Sequence, residues 1–199
     1  MKFTIIIPCY NSEKWIEQCV VSALNQTYNN LEVIFVDNES EDGSVGIVEK
    51  IKVDYPQLIM SSAKNIYRHS YQEPVEEGLR LATGEYFTVL GSDDYLEKNY
   101  VRNIVDILSK TDKILIMQSP LYCVKEDKDQ VVNVVKYEYK SLLEFKSKLF
   151  QECPVTTPSI VIKKSLYDSG KIRWRSEKFL GASDYDLYFS LADQKYFIY

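Results

Sequence analysis

The feature that most constrains the fold is a continuous β-branched run, FTIIIP at Phe3 to Pro8, followed by a second mostly apolar run, LEVIFVD at Leu31 to Asp37. A strand with one wet face alternates apolar and polar residues. A run without alternation buries both faces, as parallel strands do between two layers of helices. The joining segment fits that plan. In SEKWIEQCVVSALNQ, Trp15, Ile16, Cys19, Val20, Ala23 and Leu24 recur at helical spacing, with Asn11 or Ser12 placed to cap the helix. The pattern repeats. Ser44 to Val53 reads as a helix, Leu58 to Ser61 as a short strand, and Glu73 to Ala82 as a helix with Pro74 in its first turn and Gly84 at its end. Tyr86 to Leu90 reads as a strand and Leu96 to Lys110 as a helix. This alternation predicts an α/β fold, a doubly wound and mostly parallel sheet flanked by helices.

The second half is less regular. Ile114 to Val124 and Val131 to Tyr137 read as strands around a charged turn, KEDKDQ. Ser141 to Phe150 reads as a helix, Ser159 to Ile162 as a short strand, and Ser183 to Ala192 as a helix with acidic residues at its start, which the helix dipole favours. No repeat, low-complexity tract or linker interrupts the 199 residues. One domain over 1–199 is therefore expected, with a nucleotide-type half at 1–110 and a more variable half at 111–199.

Composition excludes several classes. The net charge is -5 and no basic stripe occurs, which argues against a nucleic-acid partner. Cys9, Cys19, Cys123 and Cys153 lie far apart, without a CxxC or Cys/His cluster. Zinc is thus disfavoured, and reduced thiols in a cytosolic protein are expected. No apolar stretch approaches the ~20 residues of a membrane span, and Met1 to Pro8 is too short for a signal peptide.

Ligands of open α/β sheets bind beyond the carboxyl ends of the strands. Pro8 to Asn11, Asp37, and the adjacent Asp93 and Asp94 all fall at that rim. Adjacent carboxylates repel, and a hard divalent cation relieves them. Mg²⁺ or Mn²⁺ takes one or two protein carboxylates and completes its shell with water and phosphate oxygens, so the pair implies a phosphorylated ligand. A solvated turn in which the two Asp residues cap the next helix is the equal alternative. Asp37 in VDNES also suits a turn and cap. A dinucleotide-type ribose contact at Asp37 is disfavoured, because PCYNSEKW lacks the glycines that GxGxxG supplies. By spacing alone, Asp184 in FLGASDYDLYFSLAD is first a capping residue and second a general base.

Three segments, FTIIIPCYNSEKWIEQCVVSALNQTYNNLEVIFVDNES, GLRLATGEYFTVLGSDDYL and FLGASDYDLYFSLAD, together resemble the family 2 glycosyltransferases of GT-A fold, in that family's order. The resemblance implies a Rossmann-like GT-A domain that binds a nucleotide-diphosphate sugar, with a UDP-sugar the first expectation. Pro8, Tyr10 and Asp37 would line the nucleobase pocket, Asp93 would contact the ribose side, and Asp94 would bind Mn²⁺ or Mg²⁺. Asp184 would be the base of an inverting transfer to a glycan or lipid-linked acceptor hydroxyl. The expected setting is surface polysaccharide synthesis in the cytoplasm or at the inner face of the membrane. Gly91 stands where many members have Asp, and Ser183 replaces an acidic neighbour of the base. NIYRHSYQEPVEEG lacks the Ala-Arg-Asn of many members, leaving Arg68 or His69 to meet phosphate. The sequence stops at YFIY, which reads as a strand, where members generally continue, so a C-terminal truncation is expected. These departures keep open a nucleotide-sugar-binding module without catalysis.

Overall fold

The structure, a computed structural model, describes residues 1–67, 71–110, 116–125, 130–135, 141–151, 155–179 and 183–193. Four strands run parallel: β1 (Phe3–Cys9), β2 (Leu31–Asp37), β3 (Ile59–Ser62) and β4 (Tyr86–Val89). They are joined through α1 (Ile16–Leu24), α2 (Ser44–Asp54) and α3 (Gln72–Leu81). After α4 (Tyr100–Leu108) come β5 (Ile116–Gln118), the hairpin strands β6 (Leu121–Lys125) and β7 (Gln130–Val135), and α5 (Leu142–Leu149). A 3₁₀ turn at Thr157–Ser159 leads into β8 (Ile160–Lys163), followed by α6 (Lys164–Asp168), α7 (Ser176–Phe179) and α8 (Ser183–Asp193). The 6-stranded sheet has the order β3-β2-β1-β4-β8-β5, with β8 antiparallel to both its neighbours. β6 and β7 form a separate two-stranded sheet.

The unbroken run in β1 is explained by two helical layers. Phe3, Ile5, Ile7 and Cys9 pack with Ile16 and Cys19 of α1, Val48 of α2 and Val101 of α4. Ile6 packs on the other face, with Val75 and Leu79 of α3 and Leu187 and Tyr188 of α8. Each such isoleucine contributes roughly 1.5–3 kcal/mol by leaving water, so a polar residue in place of one of them would be costly.

Four sequence expectations need correction. α1 starts at Ile16 rather than at Ser12, because residues 13–15 form a turn and the Ser12 carbonyl already accepts the N–H groups of Trp15 and Ile16. Asn11 is no cap; it adopts a left-handed backbone (φ 51). Gly84 does not end α3, whose C-cap is the extended Ala82. A side chain at Gly84 would meet Thr4 Oγ1 at 2.3 Å, and its N–H donates to Glu32 and Thr4, so the glycine reflects close approach. α4 begins at Tyr100, since Gln26 of the α1–β2 loop and Ser22 of α1 bind the preceding segment: Ser22 Oγ accepts from Leu96 N–H, and Gln26 Nε2 donates to the Glu97 carbonyl. The strand expected over 114–124 is broken at Ser119 and Pro120 into β5 and β6. Ser119 N–H leaves the strand path to bond the Ser159 carbonyl, and proline has no N–H to continue a ladder. The YFIY strand lies outside the described residues.

Candidate active site

Parallel pairing brings the carboxyl ends of β1, β2 and β4 to one rim, with Cys9 opposite Asp37 and Ile6 opposite Val89. Hydrogen bonds between loops then fix that rim. Ser12 N–H donates to Ser44 Oγ (2.9 Å), and Ser12 Oγ lies 2.6 Å from Ser92 Oγ. Asn11 Oδ1 accepts from Glu41 N–H (2.8 Å), and Asn11 N–H donates to Ser40 Oγ (3.0 Å). The loop after β1 is therefore tied both to the loop after β2 and to the loop after β4. The left-handed Asn11 is the turn that permits this.

These loops frame a cleft of about 300 Å³. Pro8, Tyr10 and Trp15 form one side, Asn38 and Asn65 come from beyond β2 and β3, and Tyr71, Pro74, Ser92 and Asp93 close it. Among the described residues lining it, none is Lys, Arg or His. Pro8, Tyr10 and Asp93, each expected at the site, are therefore brought together. Asp37 sits at the end of β2, where both its oxygens accept from Ser40 N–H at 3.3 and 3.2 Å. Its neighbour Asn38 is the one that lines the cleft. Asn38 is 4% exposed and its N–H donates to the Cys9 carbonyl, but its Oδ1 has no donor, nor does Asn65 Oδ1. A buried acceptor left unpaired costs about 1–3 kcal/mol. A ligand N–H or O–H entering the cleft can remove that cost.

Asp94 follows Asp93 in a tight turn, its N–H donating to the Gly91 carbonyl at 3.0 Å. Burial, and next the Asp93 charge, push the Asp94 carboxyl up to about 6. The sequence departure at Gly91 has a local reason. A Cβ there would lie 2.7 Å from Asp94 Oδ2 and 3.1 Å from Asp93 Oδ1, so the glycine lets both carboxylates fold over it. Underneath, the Cys19 thiol donates to the Gly91 carbonyl at 3.3 Å. Burial first, then the Asp94 charge, raise that thiol, which keeps it neutral. Cys9 and Cys19 are free, buried thiols and Cys123 is a free, partly exposed one, whereas Cys153 lies outside the described residues.

Asp184 is the second residue of α8, its Oδ1 accepting from Tyr185 N–H at 2.7 Å. Asp186, one turn-side away, is instead committed to Arg175, whose Nε and second guanidinium nitrogen both bond it. Among the described residues, the half-buried Asp184 is therefore the acid of this helix start that is not paired in such a bridge. Tyr71 lines the cleft beside Asp93, and its phenol is raised by partial burial first and then by the charges of Asp93, Asp94 and Asp184. Tyr71, Asn38, Asn65 and the Ser12–Ser44–Ser92 cluster were missed in the sequence. The one available signal was an aromatic at the N-cap of α3, a position that favours Ser, Thr, Asp or Asn. Arg68 and His69 lie outside the described residues.

Among the described residues, no group of three or more His, Cys, Asp or Glu side chains is arranged to enclose a metal ion. The donor set is instead two adjacent carboxylates with unrelieved repulsion. That fits a hard cation that draws its other ligands from water and a phosphorylated ligand. Among the described residues, no helix is long and apolar enough to cross a membrane.

The model of the family described as glycosyl transferase family 2 matches residues 4–170. A poly(ribitol-phosphate) beta-glucosyltransferase of Bacillus spizizenii is 28% identical over 95% of this chain and 32% of its own length. The crystal structure of S. aureus TarS 1-349 in complex with UDP-GlcNAc superposes with a TM-score of 0.70 at 21% identity, over 100% of this chain and 58% of that one. A mannosyltransferase of Pyrobaculum calidifontis, in complex with GDP-Man and Mn2+, gives 0.69 at 21% identity, over 99% and 53%. The fold is thus that of the GT-A glycosyltransferases. The chain spans 41%, 57% and 32% of the length of three curated relatives it matches.

Proposed function

Because the chain belongs to glycosyl transferase family 2, we propose that it moves a sugar from a nucleotide-diphosphate donor to an acceptor hydroxyl with inversion at the anomeric carbon. The observation that carries this reading is the cleft at the sheet's carboxyl rim, lined by Pro8, Tyr10 and Asp93, with Asp94 folded beside Asp93 over Gly91. The donor's nucleoside occupies that cleft, against Pro8, Tyr10 and the Asp37–Asn38 corner, with Asp93 on the ribose side. The unpaired Asn38 Oδ1 supplies an acceptor for a base N–H.

Asp94, with Asp93 beside it, would hold a divalent cation, Mn²⁺ or Mg²⁺, which when bound offsets the charge growing on the leaving diphosphate. The carboxylate of Asp184 takes the proton from the acceptor hydroxyl. That oxygen bonds to the anomeric carbon as the bond from this carbon to the diphosphate oxygen breaks, and the electron pair leaves with the nucleoside diphosphate. A positioned base of this kind contributes ~10²–10⁴-fold. The names of two relatives, a poly(ribitol-phosphate) beta-glucosyltransferase and a chondroitin synthase, support a glycan acceptor.

The test is turnover. Purified protein with Mn²⁺ and a panel of UDP-, GDP-, CMP- and dTDP-sugars should transfer or hydrolyse one donor. Asp184→Asn should retain nucleotide binding and lose turnover by at least about 100-fold. Wild-type protein that binds a donor but never turns it over would contradict catalysis.

A further inference from the structure

A second pocket, of about 460 Å³, lies between α3 and the chain that follows α6. Among the described residues it is lined by Glu76, Tyr167, Asp168, Gly170 and Arg173. Its volume falls within the roughly 300–1,000 Å³ of small-ligand pockets. Its walls are anchored in the core. After α6 the chain turns at Gly170, which has a left-handed backbone (φ 70) and donates its N–H to the Tyr167 carbonyl at 2.8 Å. Ile172 and Trp174 are buried on either side of Arg173, so the backbone is fixed and Arg173 is left at the pocket. A Cβ at Gly170 would lie 3.2 Å from the Arg173 guanidinium, so the glycine gives that group its room.

The lining charges are not spent on one another. Asp168 is held by Lys164 at 2.7 Å, and Glu76 Oε1 accepts from Gln72 Nε2 at 3.2 Å, while Arg173 pairs with neither acid. Burial raises the Glu76 carboxyl, so an O–H donor reaching it would relieve a desolvation cost. An anion here would meet Glu76 and Asp168, and a cation would meet Arg173. An uncharged ligand rich in hydroxyls suits all three. It gives O–H groups to the carboxylates and accepts from the guanidinium, and the Tyr167 ring offers an apolar face to its C–H side. The pocket is also tied to the start of α8. Arg175, two residues past Arg173, bonds Asp186, and Ile172 and Trp174 share a core cluster with Leu187 and Tyr188.

We propose that this pocket binds an uncharged sugar unit. In the glycosyl-transfer reading, on which this second step rests, that unit belongs to the acceptor glycan, away from the hydroxyl that reacts. The experiment titrates the isotope-labelled wild-type chain, followed by NMR, with cellotriose, maltotriose and an N-acetylglucosamine trimer. A hyaluronan oligosaccharide and a glucosamine trimer serve as acidic and basic comparisons. At least one neutral trimer should shift the Gly170 and Arg173 signals saturably. Arg173→Ala and Glu76→Gln should each weaken that binding at least about tenfold, with the melting temperature unchanged. Tighter binding of a charged probe, or no neutral trimer at these signals, would overturn the pocket assignment. The trimer that binds should accelerate turnover of a nucleotide-sugar donor in wild type and not in Arg173→Ala. Turnover indifferent to it would overturn the acceptor role and leave the sugar site standing. A chain that binds the trimer but takes up no nucleoside diphosphate would overturn the donor reading instead.

Discussion

Asp94 is held against its own electrostatic interest. Its half-buried carboxyl, pushed up to about 6 by burial and by Asp93, is ionised at neutral pH only at a cost in folding free energy. Functional sites commonly carry such a cost. In metal-free buffer above neutral pH, Asp94→Asn should therefore raise the melting temperature, by the equivalent of roughly 1–3 kcal/mol, while removing any metal-dependent binding. An unchanged or lowered melting temperature would contradict it. At this scale the sequence was partly legible. Asp93 and Asp94 stood out as adjacent acids after a buried strand, with a solvated capping turn the equal alternative, and the base role expected of Asp184 came from the family resemblance rather than from its spacing. Asn38 did not stand out, since its significance lies in an amide oxygen left without a donor, which exists only once neighbours are placed.

Among the secondary-structure elements, the opposite end of the sheet provides the contrast. Glu32, second in β2, is 8% exposed, and burial works to raise its carboxyl. Lys2, the Thr4 hydroxyl, and the hydroxyl and N–H of Thr83 outweigh that and hold it down to about 2, with Gly84 N–H also donating. This cluster ties the starts of β1 and β2 to the entry of β4. Its sign is the reverse of the Asp94 case. A depressed folded pKa stabilises above the unfolded value of 4.5, and that stabilisation is lost as pH falls through about 2. The shift corresponds to on the order of 3 kcal/mol. Urea denaturation across that acid window should show wild type losing its advantage over Glu32→Gln as pH falls. Parallel curves for the two proteins would contradict the account. The strands themselves were legible because burial on both faces leaves no polar alternation. Helix starts were not. Ser12 looked like a cap, but its carbonyl closes a turn and its hydroxyl reaches Ser92, choices that depend on a loop eighty residues away. The break at Ser119 and Pro120 was likewise hidden, because it depends on the carbonyl of Ser159.

In the molecule as a whole, the alternation of strands and helices predicted the parallel half of the sheet. It did not predict that β8 would insert antiparallel between β4 and β5. Non-local pairing of that kind leaves no periodic trace in a short strand such as Ile160–Lys163. The insertion matters for function, because it carries the later chain, and with it α8 and Asp184, back against the edge of β4 where Asp93 and Asp94 emerge. Under the proposed function, site and topology are one arrangement, the parallel half forming the nucleotide rim and the returning half bringing the proposed base. The most direct measurement of this account is calorimetric titration of the folded chain with UDP, GDP, CDP and dTDP, each with and without Mn²⁺. We expect one of these diphosphates to bind only with the metal, and Asp94→Ala to abolish that binding while keeping the native circular dichroism. Binding indifferent to both the metal and Asp94, or no binding of any of the four, would contradict it.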